Sequence, residues 1–122
     1  MAQEMRSVLL VEDDLHSAYL VRYLLESAGF EVTTAHDGTS GVEAALANKP
    51  DFVLMDIMLP GMSGLDATRR LRVEYGPDLP VIALTAYAMK GDRETAIDAG
   101  CNGFITKPID PSTFVDEVRA CL

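Results

Sequence analysis

No tryptophan occurs among the 122 residues, and cysteine occurs only at positions 101 and 121. Cys101 and Cys121 build neither a disulfide framework nor a metal-binding spacing, so they read as reduced thiols of a cytoplasmic protein. Basic residues are scarce, 10 Lys and Arg against 19 Asp and Glu, and the net charge is −9. That surplus of negative charge argues against direct nucleic-acid binding, which relies on neutralising phosphates. Long apolar runs are missing as well. Stretches such as residues 8–11 and 52–55 are far too short to cross a bilayer. Residues 1–7 are polar, with no apolar segment of signal-peptide length behind them. No linker, internal repeat or low-complexity stretch interrupts the chain. What is present, 48% hydrophobic and 24% charged residues, is the composition of a folded protein rather than a disordered one. The length suits one domain, expected over residues 1–122.

Short apolar runs alternate with helical patterns. V-L-L-V within residues 7–12 is continuous and apolar, as in a strand covered on both faces. Residues 14–28 place Leu15, Ala18, Tyr19, Leu24 and Leu25 at helical spacing, with Gly29 suited to the C-terminal end. Residues 31–35 form a half-polar strand fit for a sheet edge. Asp37 can cap a helix to about Asn48, where Pro50 blocks continuation. F-V-L-M in residues 51–56 is a third strand. A turn with Pro60, Gly61 and Gly64 leads to a helix over residues 64–73. V-I-A-L after Pro80 is a fourth strand, followed by a weakly amphipathic helix over residues 87–99. Residues 103–106 form a fifth strand, and Asp110-Pro111-Ser112 opens a last helix. Five βα units predict an α/β, doubly wound (βα)5 three-layer sandwich around a parallel five-stranded sheet. In such sheets, ligands bind at the carboxyl ends of the strands, near the switch point in strand order.

Chemistry-bearing residues gather at those ends. Strand one ends in Glu12-Asp13-Asp14, strand three in Asp56, strand four in Thr85 and strand five in Lys107-Pro108. Crowded acids raise one another's pKa unless a cation joins them. An oxygen-only donor set points to Mg²⁺ or Mn²⁺ rather than Zn²⁺. For Asp14 alone, capping the following helix is the simpler account. For Glu12, Asp13 and Asp56 it is not, because two apolar strands deliver them to one edge. Lys107 and Thr85 add a mobile cation and a short hydroxyl, which together suit phosphoryl oxygens. His16 and His36 read as isolated surface residues.

V-L-L-V-E-D-D, L-M-D-I-M-L-P-G-M-S-G, I-A-L-T-A-Y-A-M-K-G-D and F-I-T-K-P together make the chain resemble the receiver domain of two-component response regulators, of the CheY-like superfamily. T-A-x-A-M-K-G-D looks most like DivK-type single-domain regulators and hybrid-kinase receivers. The resemblance implies a flavodoxin-like fold with strand order 2-1-3-4-5. It also implies that Asp56 accepts a phosphoryl group from a sensor histidine kinase or histidine phosphotransfer protein. Asp13, Asp56 and the Met58 carbonyl would bind Mg²⁺ directly, and Glu12 through a water. Lys107 and Thr85 would contact the phosphoryl group, and Thr85 with Phe104 would switch the surface of helix four, strand five and helix five. Met58 and Tyr87 would flank the path of a hydrolytic water, which predicts slow loss of phosphate. Output would be contact with a downstream protein by a cytoplasmic monomer or weak dimer, with no direct nucleic acid, no membrane and no turnover chemistry.

A Mg²⁺-dependent small-phosphate hydrolase would use the same acid, hydroxyl and lysine set. It would also need an acid two residues after Asp56, where Met58 stands, and a cap insertion. A flavodoxin-type carrier would need a Gly-rich phosphate loop where Glu12-Asp13-Asp14 stands.

Overall fold

The apolar runs become strands because helices cover them on both sides, leaving no polar face to present. A computed structural model describes residues 6–86 and 91–122. In chain order the elements are β1 (Ser7–Val11), α1 (Leu15–Ser27), β2 (Glu31–Ala35), α2 (Gly38–Ala47), β3 (Phe52–Asp56), α3 (Gly64–Tyr75), a 3-10 turn (Gly76–Asp78), β4 (Val81–Thr85), α4 (Asp92–Ala99), β5 (Gly103–Thr106) and α5 (Phe114–Cys121). The five strands form one sheet in the order β2-β1-β3-β4-β5, as expected. Every neighbouring pair is parallel. The half-polar β2 lies at an edge, while β1, β3 and β4 are buried on both faces.

Alternation along each strand divides the core in two. Leu9, Val11, Val53, Met55, Val81 and Ala83 face α2, α3 and α4, meeting Val42, Ala45, Ala67, Leu71 and Ala96. Val8, Leu10, Phe52, Leu54, Ile82 and Leu84 face α1 and α5, meeting Val21, Leu25, Phe114 and Val118. The chain reverses its direction of growth across the sheet between β1 and β3, so a crevice opens at their carboxyl ends.

The boundaries depart from the sequence expectations in three places. Helix α3 runs two residues further, to Tyr75, where the Tyr75 hydroxyl donates to the Ala45 carbonyl at 2.6 Å and ties α3 to α2. Helix α4 spans Asp92–Ala99 and does not continue through Gly91, whose φ is 104°. Residues 87–90, including Tyr87, lie outside the described residues. Helix α5 begins at Phe114 rather than around Pro111. There the Asp110 carboxylate accepts from both the backbone N–H and the hydroxyl of Ser112, holding residues 110–112 in a turn.

Two packing features fix the sheet, one at each end of its strands. Arg72 donates to the carbonyls of Gly76, Leu79 and Gly100 and to Asn102 Oδ1. It thereby pins the entries to β4 and β5 against α3. At Gly64 an added Cβ would lie 2.0 Å from the Asp56 carbonyl oxygen, so glycine lets α3 begin hard against the end of β3.

Candidate functional site

Each strand end delivers its residue with little freedom. Glu12 directly follows β1, and its N–H donates to the Ala35 carbonyl at 2.9 Å, so the ladder carries one residue past the strand. Asp56 is the last residue of β3. Thr85 ends β4 and pairs with Thr106 across to β5. The Lys107 N–H donates to the Thr85 carbonyl at 2.7 Å, which fastens the end of β5 to that of β4. The Lys107–Pro108 peptide is cis.

These ends converge as the sequence predicts. One oxygen from each of Glu12, Asp13 and Asp56 lies within 4.8 Å of the others. Glu12 (0% exposed) and Asp56 (4%) are buried, whereas Asp13 is exposed and faces solvent. Lys107 Nζ donates to Glu12 Oε1 at 2.6 Å and to Asp56 Oδ2 at 3.4 Å. The Met58 N–H donates to Asp56 Oδ1 at 3.0 Å, bringing that main chain against the carboxylate. Thr85 is buried at the same edge. Asp14 does what its simpler account requires: its carboxylate caps α1, accepting from the His16 N–H and the Ser17 hydroxyl.

Two buried acids share one ammonium, and the imbalance appears at Glu12. Burial, and then the adjacent Asp56 carboxyl, push Glu12 up to about 7 against the downward pull of Lys107. For Lys107, burial acts to lower the pKa, but the hydrogen bond and charge of Glu12, with those of Asp56, hold it above the usual lysine value. Three acids stand here beside one ammonium, an excess of negative charge that a further cation would offset. The donors of this cluster are all oxygen, and exposed Asp13 leaves one side open to water, so the set fits a hard divalent ion that retains several waters.

Several neighbours carried no sequence signal. His36 is exposed but not isolated: its Nδ1 lies 3.1 Å from the Glu12 carbonyl, to which it donates. That contact joins the turn after β2 to the acid turn after β1. His16, Ser17 and Leu20 of α1 line a groove of about 220 Å³ with Lys107, Pro108 and Ile109. A smaller cavity, about 110 Å³, lies beside Thr85 between the β3–α3 loop and α4. Phe104 is half-buried against the α2–α3–α4 side of the core, and the Arg93 guanidinium lies 6.0 Å from its ring centroid. No described helix is long and apolar enough to cross a membrane.

Comparison with known proteins agrees with this geometry. The response regulator receiver domain family matches residues 8–119. The polar-differentiation response regulator DivK of Brucella anthropi is 39% identical over 118 residues, 96% of each chain. Its counterpart in Brucella ovis is 40% identical over the same share. Among solved structures, the chemotaxis protein CheY4 of Vibrio cholerae superposes with a TM-score of 0.92 at 27% identity, covering 98% of this chain and all of that one. The receiver domain of a sensor histidine kinase from Pseudomonas aeruginosa superposes with a TM-score of 0.86 at 36% identity, over 96% and 97% of the two chains. A magnesium ion is coordinated in the active site cleft of that structure.

Proposed function

The chain belongs to the response regulator receiver family, and from that premise we propose that Asp56 is its phosphoacceptor. Receivers are signalling phosphoacceptors that interact with histidine kinases or phosphotransfer proteins. The observation that carries the assignment is the meeting of Glu12, Asp13, Asp56 and Lys107 at the ends of three strands.

An Asp56 oxygen attacks the phosphorus of a phosphohistidine on the partner. The P–N bond breaks, a P–O bond forms, and the imidazole nitrogen recovers a proton from solvent. Such transfer needs alignment and charge neutralisation more than covalent help. Asp13, Asp56 and the Met58 carbonyl are the residues to hold Mg²⁺, with Glu12 acting through water. When bound, Mg²⁺ neutralises charge shared by the carboxylates and the incoming phosphoryl oxygens. The Met58 N–H orients Oδ1 of Asp56. Lys107 lies between Glu12 and Asp56 and needs only a small movement to meet a phosphoryl group on Asp56. Thr85 supplies a hydroxyl to a phosphoryl oxygen. Movement of Thr85 and repacking of Phe104 then bias the α4–β5–α5 surface between two arrangements. On this reading the chain acts as one cytoplasmic receiver over residues 1–122, signalling through a downstream protein rather than by turnover. The hydrolase alternative has no acid two residues after Asp56, where the side chain of Met58 stands largely exposed.

Incubation with acetyl phosphate and Mg²⁺, followed by intact-mass measurement, tests the assignment. The wild type should gain one phosphoryl group and Asp56→Ala none. Equal incorporation by both proteins refutes it, and sustained release of inorganic phosphate from small phosphomonoesters would favour the hydrolase.

A further inference from the structure

Phe104 has no hydroxyl, so no side-chain hydrogen bond can distinguish its two positions. A different contact is available. The guanidinium of Arg93, on the first turn of α4, lies 6.0 Å from the Phe104 ring centroid. Arg93 is exposed and forms no salt bridge among the described residues, although Asp92 and Glu94 flank it in sequence. A guanidinium over an aromatic face is attracted by the ring quadrupole and tolerates solvent better than an ammonium does.

We propose that Arg93 is the positioning residue of the resting switch, holding the Phe104 ring in its half-exposed place until Asp56 is phosphorylated. This inference rests on the switch reading given above for Phe104 and Thr85. Three structural facts support it. Phe104 is the register partner of Ala83 on β4, so ring and Thr85 side chain share a sheet face, two residues apart along the strand. The neighbours across that face are small, since Ala83 and Ala96 are both fully buried. Unfilled volume of about 110 Å³ lies on the same side, bounded by Thr85 and Thr95. The ring therefore has somewhere to go, and Arg93 makes a contact that exists only while it stays. Because the contact favours the unphosphorylated arrangement, its loss should raise the population competent for phosphorylation.

The test is a double-mutant cycle read as the initial rate of phosphorylation by acetyl phosphate at fixed Mg²⁺. Arg93→Gln should react about two- to fivefold faster than wild type, the range expected for one exposed cation–ring contact. Arg93→Lys should restore most of the wild-type rate. In a Phe104→Ala background, Arg93→Gln should change nothing. That arm also removes the simple effect of one fewer positive charge on an anionic donor, which would slow the reaction in both backgrounds. A rate for Arg93→Gln equal to or below wild type, with Phe104→Ala still altering the rate, overturns the role of Arg93 and leaves the switch intact. If Phe104→Ala itself leaves the rate unchanged, the switch reading fails and Arg93 falls with it. Thermal unfolding of each variant confirms folding, which substitution at exposed Arg93 should leave intact.

Discussion

Replacing Gly64 with alanine separates the packing that builds the site from ordinary backbone strain. The new Cβ would lie 2.0 Å from the Asp56 carbonyl oxygen, 2.9 Å from its carbon and 2.8 Å from the Ile57 Cα. All three are backbone atoms that cannot rotate aside. The β3–α3 loop must lift by about 1 Å or more, and overpacking of this kind costs about 3 kcal/mol, the upper end for core insertions. Gly61→Ala is the matched control: φ is +70° there and nothing lies within 4 Å of the added atom. It should cost only the left-handed strain, about 1 kcal/mol. For a chain of this length 1 kcal/mol moves Tm by about 4 °C, so thermal unfolding by circular dichroism should show losses near 12 °C and 4 °C. The lifted loop carries the Met58 N–H that holds Asp56 Oδ1. Mg²⁺ affinity, read by calorimetric titration, should therefore fall about tenfold or more in Gly64→Ala, equivalent to about 1.4 kcal/mol, and hold within about threefold in Gly61→Ala. A Gly64→Ala protein as stable as Gly61→Ala, binding Mg²⁺ equally well, would refute the reasoning.

Three further outcomes are expected. Glu12 is pushed up to about 7 from an ordinary 4.5, so the fold holds a proton there that the unfolded chain releases. Its contribution is fully present below pH 4.5 and declines as pH rises through 7; in chelator, wild type should lose on the order of 1–3 kcal/mol across that window relative to Glu12→Gln. Equal slopes in denaturant titrations at each pH would count against the crowded-acid account. Arg72→Ala strands the carbonyls of Gly76, Leu79 and Gly100 and should lower stability by about 3 kcal/mol, with Arg72→Lys recovering part, because an ammonium cannot span the same acceptors; a loss under about 0.5 kcal/mol would mark the network as ornamental. Met58→Asn combined with Tyr87→Glu introduces polar groups able to orient water, so phosphate loss from the protein should quicken on the order of tenfold or more, and unchanged decay would remove Met58 and Tyr87 from any role in lifetime.

Much of this molecule was legible because burial on both faces leaves one readable signature, the uninterrupted apolar run. Residues 8–11, 52–55 and 81–84 carry that signature, and the residue closing each run then names the site. Position alone singles out Glu12, Asp56 and Thr85, and the structure places all three buried at the carboxyl edge of the sheet. What stayed hidden depends on contacts between distant segments. Helix α3 reaches Tyr75 because a hydroxyl finds a carbonyl on α2, which periodicity does not encode. The start of α4 at Asp92 did carry a signal in Gly91, whose positive φ is one that a helix does not continue through. His36 reads in the sequence as an isolated surface residue, and nothing in the sequence singles out Arg93; only the fold brings one to the Glu12 carbonyl and the other over Phe104.

The central claim is that strand ends focus phosphoryl chemistry on one carboxylate among three. Borohydride reduction of the phosphorylated protein converts an aspartyl phosphate to homoserine, and peptide mass mapping then reads its position. Conversion at residue 56 alone, dependent on Mg²⁺ and lost in Lys107→Ala, is the predicted result. Conversion at Asp13 or Glu12, or label spread over exposed acids whether or not Mg²⁺ is present, would contradict it.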